Sequence, residues 1–82
     1  MAHPILSEDW SEYDQKKIRD GRDGRFVSCE ESWERDYILR KVRRHVPRRT
    51  DAEIKAAIEH CCRTVAGNKP RGPFMECVMG RL

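Results

Sequence analysis

The chain has 82 residues, 38% of them hydrophobic and 38% charged, with a mean hydropathy of −0.87; that leaves room for one domain with a small core and not for two. Its net charge of +3, from 17 Lys and Arg against 14 Asp and Glu, is too small by itself to draw it to nucleic acid or anionic lipid. Met1 to Leu6 lacks the basic leader and apolar run of a secretory signal, and no stretch is apolar enough to span a bilayer, so a cytoplasmic protein with reduced Cys29, Cys61, Cys62 and Cys77 is expected.

The first element is a helix predicted over residues 8–20. Ser7 can cap it, and Glu8 and Asp9 suit the positive end of the helix dipole. Gly21 and Gly24 end it. Its apolar residues are few: Trp10, Tyr13 and Ile18.

A second helix is predicted over 29–46. Ser28 and Glu31 fit a capping box, and Pro47 stops the helix. Ile38, Leu39, Val42 and Val46 share one side, while Trp33, Tyr37, Arg40 and Arg44 lie on nearly the opposite side. Apolar groups on two sides mark a helix packed between two others.

The third helix is predicted over 51–66. Thr50 and Glu53 form a second capping box, and Ile54, Ala57, Ile58, Cys61 and Val65 follow at helical spacing up to the stop at Gly67. A short fourth helix over 73–80 opens at Pro73 and brings Phe74, Cys77 and Val78 onto the bundle. No strand pattern survives. The expected fold is all-α, a compact bundle of three helices plus a short C-terminal one.

Glu31-Ser32-Trp33-Glu34-Arg35-Asp36-Tyr37, followed by Thr50-Asp51-Ala52-Glu53-Ile54-Lys55-Ala56-Ala57-Ile58, resembles a family of short bacterial helical domains of unknown function. In those domains an acid–aromatic–Glu–x–x–Tyr helix precedes a Ser/Thr-capped helix of the form E-[LI]-x-x-A-[VI]. The resemblance covers about 30 residues, implies a bacterial helical module and carries no activity.

Three constellations carry residue types that could do chemistry. His60, Cys61, Cys62 and Cys77 could surround zinc, but adjacent residues on a helix point about 100° apart, so Cys61 and Cys62 do not converge on one ion. Cys29 near a helix start has no recognisable partner base for thiol catalysis. The turn from Asp20 to Phe26 imitates a calcium loop, yet Arg19 and Gly21 fall where carboxylates are needed. Neither a cofactor nor a metal is expected, and the chain is read as not an enzyme.

The basic run has more weight. Arg40, Arg44, Arg48 and Arg49, with Trp33 and Tyr37 upstream on the same side, form the candidate binding surface. Arginines beside aromatics suit phosphate contacts with base stacking, and equally suit a protein partner. The alternative packs Trp33 and Tyr37 on the first helix and leaves the arginines paired with Glu30, Glu34 and Asp36 or in water. The expected function is non-catalytic protein binding, self-association or regulation, with nucleic-acid binding through residues 40–49 as the second reading and no membrane role.

Overall fold

The computed structural model describes residues 4–22, 24–65 and 69–82. The chain is a small all-α bundle with four α-helices among the described residues and almost no strand.

Residues Pro4–Ser7 form a single 3-10 turn, which buries Ile5. Helix α1 (Ser11–Arg19) begins later than the predicted residue 8. Asp9, not Ser7, supports its start: its Oδ1 accepts the Ser11 N–H at 2.8 Å. Ser7 and Glu8 are spent on the junction between the 3-10 turn and the helix. The end is as expected. Gly21 sits at φ 72°, its N–H donates to Ile18 O, and the Arg22 N–H donates to Lys17 O. These two bonds are the Schellman closure, which needs the left-handed residue that glycine supplies without a Cβ penalty.

The chain then makes a minimal antiparallel ladder between β1 (Phe26–Val27) and β2 (Lys69–Pro70), with Phe26 opposite Pro70 and Val27 opposite Lys69. Two-residue strands leave no alternation to read in a sequence. The ladder pins the segment before the second helix to the one before the last.

Helix α2 (Ser32–His45) starts three residues after the predicted boundary. The Ser28 capping box does not form; Glu31 occupies the N-cap position without a side-chain cap. Cys29 is instead bonded to Cys62, which holds this stretch across the third helix. Helix α3 (Asp51–Thr64) starts where predicted. Its capping box is complete: the Thr50 hydroxyl accepts the Glu53 N–H and the Glu53 carboxylate accepts the Thr50 N–H. The predicted stop at Gly67 lies outside the described residues. Helix α4 (Arg71–Gly80) begins two residues before Pro73, which its first turn tolerates because that N–H has no helical partner.

One core joins all elements. Ile38, Leu39 and Val42 of α2 meet Ile54, Ala57, Ile58 and Cys61 of α3, and Phe74, Met75 and Val78 of α4 close the other side. Val65, expected in the core, is only partly buried because α3 has ended before it. No helix among the described residues is long and apolar enough to cross a membrane.

The expectation of free thiols is overturned. Cys29 is bonded to Cys62 and Cys61 to Cys77, and no cysteine is free. The same angular spread that keeps Cys61 and Cys62 from one metal ion sends them to two different partners. Cys61 faces inward to α4, and Cys62 faces the loop before α2.

Candidate functional site

The site is built on four aromatic side chains. Trp10 and Tyr13 come from the start of α1, and Trp33 and Tyr37 stand one turn apart on α2. Tyr13 is their hub, with ring centroids 5.4 Å from Trp10, 5.6 Å from Trp33 and 5.6 Å from Tyr37. Trp10 and Tyr13 are buried, whereas Trp33 and Tyr37 are partly exposed. Helix α1 therefore rests on α2 through large rings, and the outer edges of Trp33 and Tyr37 line a groove between the two helices.

Beneath the rings lies a buried ionic knot. The Tyr13 hydroxyl donates to Glu34 Oε1 at 2.8 Å, and Lys17 Nζ is 2.9 Å from Glu34 Oε2. Lys17 and Glu34 are 2% and 0% exposed. Glu34 Oε2 has no neutral hydrogen-bond donor, so the Lys17 ammonium alone satisfies it. Burial raises the Tyr13 phenol well above its ordinary value, and the Glu34 charge and hydrogen bond add to the rise. Trp33 and Tyr37 thus pack on the first helix, as the alternative reading has it, but Glu34 pairs with Lys17 and not with the arginines.

Above the rings, cations line the groove. Lys16 Nζ stands 5.0 Å from the centroid of Trp33, and the Arg40 guanidinium 6.0 Å from that of Tyr37. A hollow bounded by Glu12, Arg19, Asp36, Arg43, Asp51 and Lys55 surrounds Trp33, Tyr37, Lys16 and Arg40. It continues along α2 into a second concavity, which shares Glu12, Tyr37 and Arg40 with it and adds Asp9, Lys41 and Arg44. Arg43 is held by Asp51 at 2.8 Å.

At the far end Glu8 gathers three basic groups. Lys41 Nζ is 3.4 Å and Arg44 3.9 Å from its Oε1, and His45 Nε2 meets its Oε2. Burial works to raise the Glu8 carboxyl, but the His45 hydrogen bond and charge, then those of Lys41, outweigh it and hold the pKa below the ordinary range. Lys41 also donates to the Asp9 carbonyl at 2.6 Å.

The predicted surface is thus only partly assembled. Trp33, Tyr37, Arg40 and Arg44 share the two joined concavities. Arg48 and Arg49 line neither. Arg49 turns to Glu53 at 3.1 Å and to the Leu82 carbonyl at 2.7 Å, tying the α2–α3 loop to the end of α4. Lys16, Arg19 and Lys55 complete the groove and lie outside the basic run that the sequence marks. Lys16 lies one helical turn after Tyr13, a spacing that puts it on the ring-bearing face of α1 but does not say which part of α2 it meets.

Thiolate ligation has no candidate while both bridges stand, since all four sulfurs are bonded. The calcium-like turn includes Asp23, which lies outside the described residues. No known family model, curated protein or solved structure matches the chain.

Proposed function

We propose that this chain is a non-catalytic binding module that engages a protein partner through the groove between α1 and α2. The observation that carries this reading is the mixture of groups along one groove. Trp33 and Tyr37 offer exposed ring edges, Lys16 and Arg40 offer cations, and Glu12 and Asp36 offer carboxylates. Tryptophan, tyrosine and arginine are the side chains that dominate protein–protein binding energy when they cluster.

Nucleic-acid binding is the second reading, and it rests on Arg40 and Arg48, which make no ion pair with any described residue. The other arginines of the run are engaged: Arg43 by Asp51, Arg44 by Glu8 and Arg49 by Glu53. Within the run 40–49, therefore, two arginines remain for phosphate contacts. Two disulfides also favour an oxidising compartment over the cytoplasm, where thiols are kept reduced.

A mobility-shift assay with duplex and single-stranded oligonucleotides tests the choice. The expected result is weak, sequence-blind binding that disappears between about 50 and 200 mM salt. Sub-micromolar binding near physiological salt, with a salt slope reduced by about two in an Arg40→Ala/Arg48→Ala variant, would instead establish the nucleic-acid reading.

A further inference from the structure

We infer that the partner presents an acidic, extended peptide segment, and that Lys16 and Arg40 are the cations that receive its carboxylates. This inference rests on the protein-binding reading above and names the chemistry of the occupant.

Three observations converge on it. The first is what holds the two cations. Neither Lys16 nor Arg40 forms an ion pair with a described carboxylate; each is placed against a ring of the groove, Lys16 on Trp33 and Arg40 on Tyr37. A cation–π contact orients the head group while leaving most of its N–H donors free for an incoming acceptor.

The second is the balance of charge. Lys16, Arg19, Arg40 and Lys55 line the joined concavities without a carboxylate partner among the described residues. Glu12, Asp36 and Asp9 are the carboxylates there without a cation partner, and Lys41 and Arg44 share the single carboxylate of Glu8. The surplus is positive, so an occupant with spaced negative charges is complementary to it.

The third is length. The nine residues of α1 span about 13 Å at the helical rise. That matches roughly four residues of extended peptide. Side chains of an extended segment alternate in direction, so carboxylates at every second position face the groove together while the intervening residues point away.

The experiment uses the full chain with both disulfides intact. Three fluorescein-labelled eight-residue peptides are compared by anisotropy at about 150 mM salt: one with Glu at alternate positions, its Gln isostere, and its Lys counterpart. The Glu peptide should bind with a dissociation constant of about 10–100 μM and at least about tenfold more tightly than the Gln isostere. A Lys16→Glu/Arg40→Glu variant should lose at least about tenfold in affinity, while Arg48→Ala, outside the groove, should leave binding unchanged. A thermal melt of the charge-reversed variant checks that it stays folded, since Arg40 is exposed but Lys16 is half-buried. Equal binding of the Glu and Gln peptides, absence of Glu-peptide binding, or Glu-peptide binding untouched by the charge reversal overturns the inference. If the Gln or Lys peptide binds instead and Trp33→Ala abolishes it, the acidic class falls while the protein-binding groove stands. If an oligonucleotide binds and none of the peptides does, both fall.

Discussion

Lys17 Nζ lies 2.9 Å from Glu34 Oε2 with both side chains withdrawn from water, and the Tyr13 hydroxyl donates to the other oxygen of the same carboxylate. Removing one member of such a pair strands a buried charge, which costs far more than the pair contributes net. Glu34→Gln should therefore destabilise the chain by about 3 kcal/mol or more in urea melts. Adding Lys17→Met removes the stranded ammonium while the Gln carbonyl still accepts the Tyr13 hydroxyl. The double variant should recover at least half of the loss. A double variant as unstable as Glu34→Gln alone would show that the carboxylate acts through something other than Lys17.

The core between α2 and α3 gives a second test. Ile58 is buried and packs with Ile38, Leu39, Ile54 and Cys61 in one cluster. Ile58→Ala should cost about 2–4 kcal/mol, a large share of the stability of so small a domain. An unshifted urea midpoint would contradict this packing.

Parts of this arrangement were legible in the sequence and parts were not, and the division follows distance along the chain. The Thr50–Glu53 cap and the Gly21 stop were readable because both are closed by backbone groups within a few residues. The Ser28–Glu31 pattern is equally local, yet it was overridden: the bridge from Cys29 to Cys62 spans 33 residues and holds the segment out of the helix. Trp33, Tyr37 and Arg40 could be assigned to one face of a helix from spacing alone. Lys16 could not be joined to them, because the angle at which α1 crosses α2 depends on Trp10 and Tyr13. The Lys17–Glu34 pair was invisible for the same reason. Four cysteines allow three pairings, and spacing does not choose among them.

The disulfides make their own prediction. Thiol titration of the unreduced chain should find no free thiol, native or unfolded, and four after reduction. A bridge closing a loop of this size typically contributes about 2–4 kcal/mol, so reduction should lower the denaturation midpoint markedly. Four reactive thiols in the unreduced, unfolded chain would contradict both bridges.

Tyr13 links the buried knot to alkaline stability. Its phenol is raised above the ordinary value of 10 by burial, then by the charge and hydrogen bond of Glu34. The folded phenol stays protonated where an unfolded one ionises. Its contribution is therefore complete below pH 10 and lost as pH rises beyond it. One of the two tyrosines should resist ionisation until the chain unfolds, so its phenolate absorbance should appear together with loss of helical circular dichroism. Ionisation of both tyrosines with helicity intact would contradict the burial of Tyr13.

The groove itself is tested most directly by amide chemical shifts of the isotope-labelled chain at about 150 mM salt, titrated separately with the alternating-Glu peptide and with an oligonucleotide. With the peptide, the largest shifts should fall on residues flanking the α1–α2 groove, among them Lys16, Arg19, Trp33, Tyr37 and Arg40, with Arg48 and Arg49 unmoved; the oligonucleotide should shift nothing. Oligonucleotide-induced shifts running from Arg40 through Arg49, or peptide-induced shifts confined to another face, would contradict a protein-binding groove.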